Sequence, residues 1–411
     1  MENDANIEVH GLNMDVMNIG VQTGSMIPPK ELLNAESPYE WYKKMRENSP
    51  IYYDEDRQTW DIFLYDDIQK ILSDYKTFSS RTGGGERPVS ILGMDPPQHK
   101  LYRSIVSQAF TLKEIEKMAP AIEKITDELL DKRVGKEDMD IIQDLAYPLP
   151  VIVISQMLGV PAKDRELFKK WSDALVADVD VAAGQTPSEL MEEKQRISVE
   201  LYEYFETVIS VREKHPQSDL ITALLNARIG EESLDRQDLL TFCLLLLVAG
   251  NETTTNLIGN AMVTFLERPD IMESLKSDLN LLPFAIEEVL RFRSPIQSLG
   301  RVVAMDTDFQ GHQMKQGDRL VVWLGSANRD EQKFDQADQF MINRQPNPHV
   351  GFGHGIHLCL GAPLARLEAT IALTALLQKM PAMTLSRAVH PLPSSFVFGY
   401  ESIPVQFETM H

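Results

Sequence analysis

Apolar residues recur at helical spacing along most of this chain and alternate only in a few short blocks, a pattern that predicts a mainly α protein. SPYEWYKKMREN, residues 37–48, reads as a short helix with Ser37 as its cap and Pro38 at its first position. IYYDEDRQTWDIFLY then reads as two short strands about a polar turn. Helical patterns follow at 66–74, 98–109, 112–133, 144–158, 162–177, 188–213, 218–228 and 235–266. Strand-like pieces return only around 301–304, 308–323 and 395–407, and APLARLEATIALTALLQKM forms a late helix with Pro363 in its first turn. No fixed-period repeat is visible.

Composition changes this picture little. With 43% hydrophobic and 25% charged residues, the chain has the make-up of a globular protein with ample core material. Its formal net charge of −21 opposes non-specific binding to nucleic acid or to an anionic membrane, so any positive docking surface must be local. The longest nearly apolar run, Leu239 to Gly250, is too short to span a bilayer and suits a buried helix. The acidic, polar start lacks the features of a secretory signal, so a cytoplasmic protein is expected. Residues 1–25 are expected to be a partly ordered tail. Because no Pro, Gly or Ser linker divides the remainder, 26–411 is expected to be a single domain, and the protein a monomer.

The candidate chemistry centres on FGHGIHLCLG, Phe352 to Gly361. Cys359 is one of only two cysteines, which excludes a disulfide framework and a four-thiolate metal site. Gly353, Gly355 and Gly361 allow a tight loop that approaches a bound group closely. The helix that follows places Cys359 near its N-terminus, where amides and the helix dipole favour a thiolate able to bind iron. The alternatives are an inert buried cysteine or a site built from His354, His357 and Cys359. Covalent haem attachment through C-x-x-C-H is excluded by its absence. Cys243, inside an apolar helix, reads as core.

Three further stretches depart from a bland pattern. LLLLVAGNETTTN, Leu244 to Asn256, is a core helix that turns abruptly small and polar. Ala249 and Gly250 leave space beside it, a local bulge is expected there, and Glu252 and Thr253 supply an acid and a hydroxyl for proton delivery; the other reading is an ordinary polar helix end. Glu288 and Arg291 stand at i and i+3, close enough for an ion pair, although Glu287 fits Arg291 equally well by spacing. His99 and Arg103 lie four apart and point the same way.

Phe352, Gly353, Gly355, His357, Cys359 and Gly361 resemble, position for position, the haem-binding loop of the cytochrome P-450 superfamily. The resemblance covers nearly the whole chain from about residue 26. It implies that superfamily's triangular, α-rich fold with small peripheral β-sheets, and haem b held non-covalently by the Cys359 thiolate. It also implies that Ala249 and Gly250 flank the haem on the oxygen-binding helix. Thr253 matches the hydroxyl that supports protonation of bound oxygen, and Glu252 matches the relaying acid, with Glu where many relatives have Asp. Glu288 and Arg291 match the E-x-x-R motif, completed by Arg344, and His99, Arg103, Arg301 and His357 match the residues that hold the haem propionates.

The implied activity is a haem-thiolate monooxygenase that inserts one atom of O2 into a C–H bond of a hydrophobic small molecule: a steroid, terpenoid or fatty acid. Segments expected to line its pocket are Thr82–Leu92, Trp171–Val181, Leu245–Ala249, Pro295–Leu299 and Ser395–Phe398. The substrate candidates are Val248, Ala249, Ile296, Gln297 and Val397, Gln297 being the main uncharged polar one. No flavin or nicotinamide fingerprint is present, so electrons are expected from a separate ferredoxin or flavodoxin with its NAD(P)H reductase. Lys100, Lys113 and Arg366 are the local basic residues expected at that docking face. The alternatives are a peroxide-driven peroxygenase and a non-catalytic haem sensor or carrier.

Overall fold

The structure is a computed structural model that describes residues 28–32, 37–81, 90–133, 135–176, 186–380, 382–392 and 394–407. The expected N-terminal tail, residues 82–89 of the first pocket segment and 177–181 of the second lie outside the described residues.

Helix dominates, as the periodicity predicts. The helices are α1 (Tyr39–Asn48), α2 (Tyr65–Ser73), α3 (Gln98–Ala109), α4 (Leu112–Glu116), α5 (Ala119–Asp131), α6 (Pro148–Met157) and α7 (Arg165–Val176). They continue as α8 (Pro187–Lys214), α9 (Leu220–Asn226), α10 (Arg236–Leu266), α11 (Pro269–Ser277), α12 (Leu282–Phe292), α13 (Leu324–Ala327) and α14 (Ala362–Lys379). Sequence punctuation explains most boundaries. A capping box between Thr186 and Glu189 opens α8, with Pro187 in its first turn. Asp235 caps α10 by accepting from the Asp238 amide.

Some boundaries move. α1 begins at Tyr39 rather than Pro38, and the Ser37 hydroxyl accepts weakly from the Tyr39 amide at 3.4 Å. The pattern over 112–133 divides into α4 and α5, since Pro120 is tolerated only in the first turn of a new helix. The pattern over 144–158 starts instead as a π-helical turn, Ile142–Ala146, before α6.

Ten strands are described: β1 (Ile51–Asp54), β2 (Thr59–Ile62), β3 (Phe78–Ser79), β4 (Asp138–Asp140), β5 (Ser298–Val303), β6 (Thr307–Phe309), β7 (His312–Met314), β8 (Arg319–Trp323), β9 (Thr384–Leu385) and β10 (Pro404–Gln406). The largest sheet has the order β1-β2-β8-β5-β3. Its β1–β2 hairpin pairs Ile51 with Ile62, and β2 then runs parallel to β8, with Thr59 opposite Arg319. Early and late parts of the chain thus share one sheet, which sets β5 and its Arg301 beside the rest of the site.

The long α10 is apolar on nearly every side and is buried along most of its length, as a helix crossing the centre of the main hydrophobic cluster must be. Helices α6, α7, α8, α12 and α14 pack around it.

Candidate functional site

The loop before α14 is shaped by its glycines. Gly353 and Gly355 have φ of 75° and 72°, and a Cβ on Gly355 would come within 2.5 Å of the Leu72 carbonyl oxygen. The Cys359 amide donates to the Phe352 carbonyl at 3.0 Å, and the Leu358 amide donates to Gly355 at 3.2 Å. Cys359 therefore projects from a braced backbone immediately before α14, and its side chain is exposed on one side. Elsewhere protein surrounds the sulfur. Desolvation raises its pKa, and the amides of Gly361 and Ala362 with the guanidinium groups of Arg103 and Arg366 offset that only in part. The helix end alone does not ionise the thiol, which is a difference from the sequence expectation. Cys243 is fully buried in α10, as expected for a core residue, and burial pushes its thiol up.

Three separate elements bring His99, Arg103, Arg301 and His357 together. His99 and Arg103 lie on α3, Arg301 on β5 and His357 in the cysteine loop. The two imidazole rings are 4.3 Å apart. Arg103 donates to the Leu358 carbonyl at 2.7 Å, and Arg301 donates to that of Gly300 at 2.7 Å. Desolvation lowers the pKa of all four, taking Arg301 to about 10 and His357 to about 3. The buried Nε2 of His357 has no hydrogen-bond partner. Donors this concentrated, one of them orphaned, fit the two carboxylates of a prosthetic group whose oxygens would complete them.

On α10, Ala249 is exposed although its helix is otherwise mostly buried. An apolar opening there and an open thiol at Cys359 are what a large flat apolar cofactor would cover. Thr253 donates its hydroxyl to the Ala249 carbonyl at 2.9 Å, and Glu252 and Thr253 are both half-buried. The expected bulge at Gly250 is absent: α10 is continuous α-helix, and a Cβ on Gly250 would meet Ile154 of α6 at 3.3 Å. That glycine serves close helix packing rather than an opening. The π turn lies instead in the neighbouring segment, where Thr255 of α10 donates to the Ala146 carbonyl at 3.1 Å. Asn251, fully buried, donates to Ser172 of α7 at 2.7 Å. Neither tie had a recognisable signal in the sequence.

Beneath the loop, Glu288 and Arg291 are both fully buried. Arg291 donates twice to Glu288 at 2.8 Å, and Arg344 donates to the same carboxylate at 3.1 and 3.2 Å. The choice that spacing left open is thereby made, because Glu287 points elsewhere. It accepts from Arg366 at 2.6 and 2.8 Å and lies 3.0 Å from His349, while Arg366 stacks 4.6 Å over the Phe352 ring. Arg366, expected as a docking cation, is thus committed to Glu287 and braces the cysteine loop.

That pairing predicts an acid dependence. Burial pushes the Glu287 carboxyl up, but Arg366 and His349 outweigh it and hold the pKa at about 2. A folded pKa below the unfolded value, roughly 4.3, contributes stability that is present above that value and lost as pH falls toward 2. Glu287→Gln should flatten the acid limb of the urea midpoint between about pH 5 and 2, by ~1 kcal/mol or less given partial exposure. Parallel limbs for the two proteins would remove this pairing as the cause.

Among the substrate candidates, Val248 and Ile296 are half-buried, Ala249 is exposed, and Val397 is buried and bridged to Ile296. Gln297 lies elsewhere. It is 1% exposed, accepts from the Tyr42 hydroxyl at 3.0 Å, donates to the Ser294 carbonyl at 2.6 Å, and leaves no room for a side chain at Gly325. It joins α1 to the chain after α12, a polar residue in an apolar stretch that has satisfied itself internally.

Comparison with known proteins agrees with this geometry. The cytochrome P450 family model matches residues 34–382. Cytochrome P450 109 of Bacillus spizizenii is 43% identical over 93% of this chain and 95% of its own. Substrate-free CYP109E1 from Bacillus megaterium is 41% identical and superposes with a TM-score of 0.89, covering 91% of this chain and all of that one. Structures of the same protein in complex with testosterone and with corticosterone give TM-scores of 0.85 and 0.86. P450BioI in complex with acyl carrier protein ligated by hexadec-9Z-enoic acid is 34% identical, with a TM-score of 0.83, covering 92% of this chain and 99% of that one.

Proposed function

The chain belongs to the cytochrome P450 family, and from that premise we propose that this monooxygenase hydroxylates a hydrophobic small molecule of the steroid, terpenoid or fatty acid class, with electrons from a separate ferredoxin or flavodoxin. Family members bind haem b through a cysteine thiolate, and the observation that carries the reading here is Cys359, open at the head of α14 near a donor set with an orphaned His357 nitrogen. The steroid-bound relative supports that class, and the acyl-bound one keeps fatty acyl chains within range. We take 26–411 as one domain, supported by the family match over 34–382, by a sheet that joins β1 and β2 to β5 and β8, and by one that joins β4 to β10.

When bound, the haem would supply activation of dioxygen, and Cys359 would hold its iron as a thiolate. One oxygen atom goes to the substrate C–H bond and the other leaves as water, which takes up two protons and two electrons. The residues of this chain bind, orient and deliver protons. Cys359 holds the iron from a loop that its glycines and the Arg366–Glu287 pair keep rigid. His99, Arg103, Arg301 and His357 clamp the propionates. Apolar residues of α10 up to Val248 exclude water from the reacting face.

Thr253 holds a proton near that face, and Glu252, one residue earlier and half-buried, exchanges it with the outside. Thr253→Ala should cut product formed per electron consumed by about a hundredfold, the low end of what a positioned acid contributes, whereas Thr253→Ser should restore most of it. Equal coupling in wild type and Thr253→Ala would remove Thr253 from proton delivery. A peroxide-driven route would leave both residues without a role.

For the redox partner, Lys100 and Lys113 remain as exposed cations on α3 and α4. No helix among the described residues is long and apolar enough to cross a membrane.

A further inference from the structure

Two asparagines sit deep in the second half of α10, among residues of the main hydrophobic cluster. Asn256 is 2% exposed and Asn260 is 0% exposed. Standing at i and i+4, they share one face of the helix, about 6 Å apart along its axis. Asn260 uses both hydrogens of its amide, donating to the Phe398 carbonyl at 2.9 Å and to the Arg293 carbonyl at 2.9 Å. Its Oδ1 is left buried without a donor. Asn256 is the complement, because its Nδ2 is buried without an acceptor. The Asn256 amide packs against Gly399, the residue after Phe398, and leaves no room for a side chain there. Both amides therefore face the same short stretch of chain.

A donor and an acceptor one helical turn apart, each lacking a partner, define what fits between them. The bridging group must accept from Asn256 and donate to Asn260, and an ion of either sign is repelled by one of the two. Water meets both needs, and two polar partners are enough to hold a buried one. Left unmet, each group would cost free energy in its apolar surroundings. We propose that one buried water bridges Asn256 Nδ2 and Asn260 Oδ1, and that this bridge fixes the 396–399 segment against α10. Asn256 and Asn260 are then positioning residues.

What the segment carries gives the bridge its role. The Gln297 amide donates to the Phe396 carbonyl at 2.8 Å and the Phe398 amide to the Pro295 carbonyl at 2.8 Å, so Val397 is locked beside Ile296. Those bonds join the two strands to each other, not to α10. The Asn260 amide ties both to the helix, through Phe398 and through Arg293 two residues before Pro295. The water adds a second tie one turn nearer Thr253, and two ties a turn apart stop the segment from pivoting about Asn260. Val397 thereby keeps a set distance from the reacting face of α10. That Val397 meets substrate rests on the monooxygenase reading above; the bridge itself does not.

The test uses the haem-loaded protein. A high-resolution crystal structure should show one ordered water within about 3 Å of both Asn256 Nδ2 and Asn260 Oδ1. A direct bond between the two amides, or a well-ordered site with no water, would overturn the proposal. Asn256→Ala and Asn256→Ser both clear the contact with Gly399 and differ by one hydroxyl, which can still donate to the water. Amide hydrogen exchange in residues 395–400, followed by mass spectrometry, should speed up at least tenfold in Asn256→Ala and stay within threefold of the wild type in Asn256→Ser. Should Asn256→Ala not fold, Asn256→Cys takes its place, being close to Ser in size but a weak donor. Equal exchange with and without the hydroxyl would overturn the positioning role. A protein that passes both tests yet yields no oxygenated product from any hydrophobic compound, given reductant and partner, would instead sink the monooxygenase reading while the bridge stood.

Discussion

Cys359→His is expected to yield a folded protein whose reduced carbon monoxide complex lacks the strongly red-shifted Soret band of thiolate ligation and whose hydroxylation of any hydrophobic compound falls below detection. The loss follows from the ligand's chemistry rather than from packing. Cys359 is exposed, and the loop around it is held by backbone bonds from Cys359 to Phe352 and from Leu358 to Gly355 that a side-chain change leaves in place. Imidazole can still coordinate iron, but it lacks the thiolate's capacity to push electron density toward oxygen. The donors at His99, Arg103, Arg301 and His357 are untouched, so haem content should stay near that of the wild type. A variant that kept both the red-shifted band and turnover would show that another residue holds the iron.

The second large effect is on stability. Glu288→Gln should destabilise the fold by roughly 3–5 kcal/mol, the usual cost of breaking a buried ion pair by removing one partner. Glu288 accepts from Arg291, from Arg344, from the Met341 amide at 2.9 Å and from the Asn347 side chain at 3.2 Å. Gln offers one carbonyl where the carboxylate offered two oxygens, and it sets an NH2 against the fully buried Arg291. Arg291 also donates to the carbonyls of Asn328, Ala337 and Gln339, so its loss of balance spreads to the segment leading to the cysteine loop. Against a typical total of about 5–15 kcal/mol, the change should lower haem retention as well as the urea midpoint. An unchanged midpoint would mean that this network adds little to stability.

The two predictions differ in how far the sequence foretold them. Cys359 was singled out by its glycine-bracketed loop before a helix, and its reading as the iron ligand came from the resemblance of that loop to the cytochrome P-450 superfamily. Glu288 was not legible from spacing, since Glu287 has the same reach toward Arg291; the decision came from Arg366 and His349, which occupy Glu287 from another helix and from the approach to the loop. Gln297 and Gly250 went the other way. Both were chosen for being unlike their neighbours, and in both the reason is a contact made by distant chain: Tyr42 in one case and Ile154 in the other.

What the sequence determined by itself was the helical architecture and most element boundaries to within a few residues, because periodicity, prolines, caps and glycines act over a few residues. What only the tertiary structure decided was which charged and polar groups meet: Glu287 with Arg366, Asn251 with Ser172, and Gln297 with Tyr42. These pairings join segments separated by tens to hundreds of residues, and they are selected by burial, where every donor must find an acceptor, a constraint that no local pattern records.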